Sequence, residues 1–381
     1  MELDEARARI DAIDEGILEL FCERMGLAED IACAKRAAGV SAYDPARERD
    51  KLFRAAHAVP QDLRPQASSL LSLLMSMNKA RQQAVLHRDD PQARSALARA
   101  SLGAVDEPFP AVATVACQGV EGAYSQIAAC KLFVTPAISF FGTFEGVFRA
   151  VRDGLCEYGV VPIENSTAGS VNAVYDLLAE YRFSIVRSLR LKIDHQLLAR
   201  PGVDISQITE VFSHEQAIAQ CSEKLDRLGV RVHVCKNTAK AAEAVAQSPR
   251  TDIAALSSRD CAELYGLNVL ASDVQNSDNN YTRFVVISAV PKIFPGATRT
   301  SLMMTLPHTP GSLYRVLERF YALDVNMVKL ESRPIAGRDF EFMFYFDLDC
   351  PVGSPALTEL LDSLDDICDR VTYIGSYTEV L

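Results

Sequence analysis

Asp278-Asn279-Asn280-Tyr281-Thr282-Arg283-Phe284, followed at once by Val285-Val286-Ile287, is the stretch from which the rest of the chain can be read. Mostly small or polar residues, from Ser272 to Tyr281, run into a β-branched triplet, the pattern of a loop feeding a buried strand. A hydroxyl and a guanidinium therefore meet at a strand mouth, where a rigid scaffold presents loop residues to a ligand. The fork of an arginine matches the two oxygens of a carboxylate, so Arg283 is expected to face an anion or shape the cleft around it. Taken alone, the same residues also describe an ordinary loop with a surface arginine.

The chain has 381 residues, 49% of them hydrophobic and 23% charged, with a net charge of −11. That length allows two or three domains, and that balance allows packed cores. No basic stripe suggests a nucleic-acid partner. No apolar run reaches membrane-spanning length, and the acidic start at Met1-Glu2-Leu3-Asp4-Glu5 has no apolar signal region, so a cytoplasmic location is expected. The ten cysteines are scattered, form no Cys-x-x-Cys, and read as reduced thiols.

Residues 3–38 predict one long helix with Ile10, Ile13, Ile17, Leu20, Leu27 and Ile31 on a three-and-four spacing. Arg24 stands where that seam lacks an apolar residue. Asp44-Pro45 reads as an N-cap and first-turn proline for a helix over about 45–58. A third helix is expected over about 66–87. Residues 88–111 read as a linker. From Val112, short β-branched runs alternate with helical stretches, which predicts an α/β domain with a largely parallel sheet. After Pro291, Pro295 and Gly296, the last 83 residues read strand, helix, strand, strand, helix, strand, the ferredoxin-like order. The expected domains are 1–90, 112–290 and 299–381.

A guanidinium in an apolar seam needs an anion, because an unpaired buried charge is very costly. Lys35 lies eleven residues beyond Arg24, within about 20° of it around the helix. Asn78 and Gln82 extend the stripe of Leu71, Leu74 and Val85 on the third helix. These polar residues fit either an anion site or buried ion pairs between helices.

Together with Arg7, the Asp44-Pro45-Ala46-Arg47-Glu48-Arg49 run and Gln83, these positions resemble the helical chorismate mutase family over residues 3–87. The resemblance implies a pericyclic conversion of chorismate to prephenate without a cofactor, by positioning and electrostatics. It implies that Arg7, Arg24 and Arg47 hold the two carboxylates. Lys35 and Gln82 would donate to the ether oxygen, Glu48 would hold the ring hydroxyl with Asp44 beside it, and Asn78 would add a polar contact where relatives often carry Ser. It further implies an entwined helical dimer in which the partner chain supplies Arg7.

The opening motif, Val160-Val161-Pro162-Ile163-Glu164-Asn165-Ser166-Thr167-Ala168-Gly169-Ser170, and Ser213-His214-Glu215-Gln216 with Gln220-Cys221 resemble the prephenate dehydratase family over about 112–290. Val120 and Ala123 depart from it, where Pro and Ser or Thr are usual. The resemblance implies a two-lobed fold similar to solute-binding proteins, with Thr282 donating a proton to the leaving hydroxyl. Glu164, Asn165, Ser166, Thr167, Ser213 and Gln220 would line the pocket, with Arg283 and Phe284 beside it. From residue types alone, Ser213 could instead cap the following helix, and Phe284 reads as core.

Residues 299–381 resemble the ACT regulatory module of such dehydratases through Gly311-Ser312-Leu313-Tyr314 and Glu331-Ser332-Arg333-Pro334. This implies L-phenylalanine as an effector and a homodimer or higher homo-oligomer. The expected protein is thus bifunctional, taking chorismate and prephenate as substrates, with no cofactor or metal and no membrane partner. Two other readings remain at this point: a monofunctional dehydratase with a structural helical arm, and a non-catalytic phenylalanine sensor.

Overall fold

The computed structural model describes residues 2–38, 45–89, 97, 107–335, 341–364 and 367–381. The chain divides into two compact units, Met1–Arg99 with Thr358–Ile367, and Ala100–Leu357 with Cys368–Leu381. Among the described residues no helix is long and apolar enough to cross a membrane.

The first unit contains α1 Leu3–Ala38, α2 Pro45–His57 and α3 Arg64–Asp89, with a 3-10 turn at Gln61–Leu63 before α3. Prolines set these boundaries. Pro45 opens α2, and Pro65 falls in the first turn of α3, where a missing N–H removes no helical hydrogen bond. Asp44, expected to cap α2, lies outside the described residues. α3 packs against both α1 and α2. The seam of α1 departs from its expected core role: Ile10, Ile13, Ile17, Leu20 and Leu27 are all more than half exposed, Leu20 at 67%. The buried positions of α1 are the small Ala28 and Ala32. Arg24 is therefore part of a half-open face, not of a closed core.

The second unit opens with a lobe whose strands β1 Val112–Gln118, β2 Thr135–Phe141 and β3 Tyr158–Asn165 alternate with α4 Tyr124–Leu132 and α5 Phe144–Arg152. The short β4 Gly169–Ser170 folds back on β3 before α6 Asn172–Tyr181 and β5 Ser184–Lys192. The chain then builds a second lobe from β6 Gln196–Ala199, β7 Glu210–Ser213, β8 Arg231–Val234, β9 Ile253–Ser257 and β10 Asn268–Ala271, ordered β10-β6-β9-β7-β8. Helices α7 Glu215–Gln220, α8 Ser222–Leu228, α9 Thr238–Gln247 and α10 Arg259–Tyr265 flank it. Each lobe has its own apolar core, Val147, Phe148 and Tyr175 in the first, Leu198, Ala242 and Leu256 in the second.

The expected parallel sheet is mixed. β1 pairs in parallel with β2 and β3, but β11 Tyr281–Ser288 runs antiparallel to both β3 and β5. The reason is the return path. β3 and β5 both end at the cleft, and the chain re-enters the first lobe from that same cleft, so β11 has to run away from it.

The C-terminal segment follows β12 Arg299–Thr305, α11 Ser312–Ala322, β13 Asn326–Pro334, β14 Phe342–Asp349, α12 Pro355–Leu364, which from Thr358 on counts with the first unit, and β15 Arg370–Val380. Its strand order, β13-β14-β12-β15, is ferredoxin-like. β15 also pairs in parallel with β5, Thr378 against Arg187 through Val380 against Leu189, so this sheet continues into the first lobe.

Residues opposite one another on paired antiparallel strands share a face, and neighbours along a strand face opposite ways. Thr282 stands opposite Asn165, and Arg283 opposite Glu164. The register then shifts so that Phe284 meets Pro162, a residue with no ladder N–H to lose. Arg283 and Glu164 consequently turn away from the cleft, which corrects their expected place beside a ligand. Arg283 is 2% exposed and its Nη1 lies 2.5 Å from Oδ2 of the fully buried Asp347. Its Nη2 donates to the Tyr377 hydroxyl at 3.0 Å, and Ser301 donates to Asp347 Oδ1 at 2.5 Å. Glu164 pairs with Lys329, and lies 3.5 Å from Arg283. The carboxylates that Arg283 satisfies belong to the protein.

Burial alone would push the Asp347 carboxyl up; the Arg283 charge and the hydrogen bonds of Arg283, Ser301 and Tyr345 overcome it and hold Asp347 below its ordinary value. Its stabilising contribution is therefore present above the ordinary carboxylate range and is lost as pH falls through the depressed folded value. Asp347→Asn should cost about 3–5 kcal/mol at neutral pH and flatten the acid side of the stability curve, measured by urea unfolding over a pH series. A second test lies at the sheet junction. Gly375 has φ +150, and a Cβ there would sit 2.3 Å from the Ile185 carbonyl oxygen. Gly375→Ala should lower stability by about 1–3 kcal/mol in the same assay.

Candidate active sites

A cavity of about 530 Å³ opens between the two lobes. From the first lobe it is lined by Gln118, Tyr124, Asn165, Ser170, Thr282 and Phe284. From the second come His195, His214, Gln220, Lys236, Asn237 and Thr238. Of the expected pocket residues, Thr282, Asn165, Gln220 and Phe284 thus meet at one cavity. Phe284 is at once core and wall, 2% exposed yet lining it.

The others act one step back or elsewhere. Ser166 ties down the loop before β11: its hydroxyl donates to the Asn279 carbonyl at 2.8 Å and accepts from Tyr281 N at 2.9 Å. Thr167 accepts from Gln220 Nε2 at 2.6 Å. Ser213 is fully buried and donates to the Leu256 carbonyl at 2.8 Å, holding β7 to β9. The cap of α7 is His214, whose Nδ1 accepts from Gln216 N, not Ser213.

Asn165 organises the site. Its Oδ1 accepts from Thr167 N, Ala168 N and the Thr167 hydroxyl, at 3.0, 2.9 and 2.7 Å. Its Nδ2 donates to Thr282 Oγ1 at 3.0 Å. Thr282 is therefore an acceptor toward Asn165, which leaves its own proton available to donate, and the residue lines the cavity.

Sequence reasoning missed the second-lobe wall. His195 is buried, with Nε2 3.1 Å from Gln220 Oε1. Burial lowers its pKa, against the opposing pulls of the Gln220 hydrogen bond and the Asp194 charge. Lys236 brings a positive charge to the cavity, and Asn237 caps α9 by accepting from Lys240 N at 2.7 Å. The start of α4, with Ala123 as an N-cap that offers no side-chain acceptor, faces the same space. Two helix N-termini and a lysine suit an anion. An Asn ahead of an alanine-rich helix was a legible cap signal; the polar Asp194-His195-Gln196 interruption before Leu197-Leu198 was the one trace of His195.

In the helical unit, Arg24 Nη1 donates to the Leu74 carbonyl at 2.5 Å, Asn78 Nδ2 to the Arg24 carbonyl at 3.1 Å, and Gln82 Nε2 to Asn78 Oδ1 at 2.5 Å. Asn78 and Gln82 are buried. Lys51, which the sequence reading passed over, has its pKa lowered by burial and by the charges of Arg47 and Arg24, so three cations gather here. Glu48 pairs with Lys79 at 3.3 Å. Lys35 is half-buried on α1. Arg7 is exposed beside Asp4, 17 residues before Arg24 on the same helix, or roughly 25 Å along its axis. It cannot join that cluster within one chain.

The C-terminal module has a cavity of about 590 Å³ lined by Gly311, Ser312 and Leu313 with His308, Phe342 and Phe344. Gly311 takes φ +83 as N-cap of α11, a conformation that favours glycine. Glu331 and Arg333, expected at an effector, instead face the first lobe: Ser170 donates to Glu331, and Arg333 pairs with Asp176 at 2.8 Å. Ser332 and Pro334 alternate to the exposed face of β13.

Residues 115–292 match the prephenate dehydratase family model, and residues 6–83 that of chorismate mutase type II. A bifunctional chorismate mutase/prephenate dehydratase of Escherichia coli (strain K12) is 33% identical over 383 aligned positions, covering 97% of this chain and 95% of that one. An arogenate dehydratase/prephenate dehydratase of Arabidopsis thaliana is 36% identical over 275, covering 69% and 72%. A solved structure of prephenate dehydratase from Arthrobacter aurescens, in complex with L-Phe, superposes with a TM-score of 0.64 at 28% identity, covering 70% of this chain and 89% of that one. With a helical segment matching the mutase, a two-lobed segment matching the dehydratase, and a relative carrying both over nearly its whole length, this chain belongs to the bifunctional chorismate mutase/prephenate dehydratase family and converts chorismate to prephenate and prephenate to phenylpyruvate.

Proposed function

We propose that Thr282 is the proton donor of the dehydratase step, and the observation that carries this is the Asn165 Nδ2 donation into its oxygen. In that step the ring C–carboxylate bond breaks to release CO2, its electron pair enters the ring, and the C–O bond to the ring hydroxyl breaks. The departing oxygen needs one proton to leave as water. Thr282 presents that proton, and solvent restores it. Aromatisation supplies the driving force, so a positioned donor suffices. Lys236 and the N-termini of α4 and α9 receive the substrate's carboxylates, the role first expected of Arg283.

For the mutase step, Arg24, Arg47 and Lys51 hold the carboxylates, and Gln82 and Lys35 donate to the ether oxygen as it gains charge. Glu48 holds the ring hydroxyl. Because Arg7 stands roughly 25 Å from Arg24 on one helix, a second copy supplies it. The exposed stripe from Ile10 to Leu27 gives that copy an apolar face to cover. The cavity at Gly311–Leu313 binds L-phenylalanine and lowers dehydratase output; the related Arthrobacter aurescens protein was solved with L-Phe.

Supplying purified protein with chorismate and following prephenate and phenylpyruvate separates the two sites. Thr282→Ala should cut phenylpyruvate formation by roughly 10²–10⁴-fold while chorismate consumption continues; a parallel loss of both rates would refute separate sites. Gln82→Ala or Arg24→Ala should do the reverse. Added L-phenylalanine should slow the dehydratase step, and a rate indifferent to it at any concentration removes the effector assignment.

A further inference from the structure

Two peptide N–H groups determine which way a whole row of side chains donates. Thr167 N and Ala168 N identify the atom of Asn165 that they meet as its oxygen, since neither could donate to an amide nitrogen. Asn165 Nδ2 then donates toward Asn280 Oδ1 at 2.9 Å and Thr282 Oγ1 at 3.0 Å, the nearer two of its three acceptors, with the Tyr281 carbonyl at 3.2 Å. With Asn280 Oδ1 accepting, Asn280 Nδ2 donates to Gln220 Oε1 at 3.0 Å. Gln220 Nε2 therefore donates to Thr167 Oγ1, whose proton goes on to Asn165 Oδ1. His195 Nε2 faces Gln220 Oε1, an acceptor already defined, so Nε2 carries the imidazole proton. Nδ1 then carries the ring's lone pair; it is buried and has no hydrogen-bond partner among the described residues.

The donors run in one direction: His195 to Gln220, Gln220 to Thr167, Thr167 to Asn165, Asn165 to Thr282. The row begins on the second lobe, just before β6, and ends on the first, at β11.

We propose that His195 is a positioning residue of the dehydratase site: held as the neutral Nε2–H tautomer, it anchors the far end of this row and fixes the Thr282 hydroxyl with its proton toward the substrate. The inference rests on Thr282 as the proton donor. An imidazolium could still donate from Nε2, but its Nδ1–H would then be buried without an acceptor, an arrangement native interiors avoid. Burial of the ring favours the neutral form for the same reason.

A glutamine places an amide N–H close to where Nε2–H sits, and a leucine cannot. His195→Leu should lower the dehydratase kcat about tenfold, the order expected for one lost hydrogen bond, with the KM for prephenate little changed and the mutase rate intact. His195→Gln should recover most of the loss. Equal losses in the two variants, or a change confined to KM, would overturn the proposal. Independently of any variant, protein labelled with 15N at its six histidines, with the His195 signals assigned by their disappearance in His195→Gln, should show Nε2 protonated and Nδ1 bare at neutral pH. A protonated Nδ1 would overturn it. Thr282→Ala tells the two readings apart: if that variant still forms phenylpyruvate, the donor assignment itself fails. If it is inactive while His195→Leu runs at the parental rate, the positioning role alone is lost.

Discussion

The ion pair between Arg283 and Asp347 is the constraint around which the second unit is arranged. Both partners are almost wholly buried, and either one alone would be an uncompensated charge in a low-dielectric interior, a penalty of several kcal/mol. The pair lies between β11 of the first lobe and β14 of the C-terminal module, so the two cannot separate without exposing or orphaning it. Tyr377 and Ser301 hydrogen-bond to the pair directly, and Tyr345 donates to Ser301. Because strand neighbours face opposite ways, the interaction that fixes Arg283 also fixes the direction of Thr282. The C-terminal module is in this sense part of the dehydratase scaffold, whatever else it binds.

How far the sequence discloses this varies with the kind of information each feature needs. The helices expected over 3–38, about 45–58 and about 66–87 are found at Leu3–Ala38, Pro45–His57 and Arg64–Asp89, because apolar spacing and prolines mark them. The four-residue strands β6, β7, β8 and β10 are too short to show a period and pass unnoticed. The break between α7 and α8 at Cys221 is not legible in the sequence, because no proline or glycine announces it. The Thr-Arg-Phe motif identifies its strand but not the face each residue takes. That depends on which surface of the sheet is covered by a module beginning at Arg299, and a local window does not hold that information. Ser213 and Glu164 were placed in the pocket for the same reason. His195 was missed because a short polar interruption before an apolar run is a weak signal; its hydrogen-bond partner, Gln220, lies far away in sequence.

The two sites use similar means from different elements. In the helical unit, three cations and a ladder of amides gather on adjoining helix faces. In the cleft, one lysine and two helix N-termini supply positive potential, and a row of amides ends at the Thr282 hydroxyl. Neutral groups are prominent in both, Asn78 and Gln82 in one and Asn165, Gln220 and Thr282 in the other. Such groups need no particular protonation state to act, which suits reactions whose driving force is already in the substrate.

The wall of the cleft is also where the C-terminal module comes nearest to the chemistry. Ser170 lines the cavity and donates to Glu331, while Lys329 of the same strand holds both Glu164 and Ser170. Glu164 is paired with β11 at Arg283, one residue from Thr282. A ligand that shifts β13 therefore has two mechanical routes to the cavity, one through the β4 wall and one through the strand that carries the donor. Coupling between sites requires an element with differential contacts in two states, not proximity alone. β13 meets the structural half of that requirement, because Lys329, Glu331 and Arg333 are committed to the first lobe while the alternate residues are exposed. An effector bound at Gly311–Leu313 would touch neither route directly. Phe342 and Phe344 of that cavity stand on β14, the strand paired with β13, so the sheet pinned by Arg283 and Asp347 is what joins the cavity to both routes.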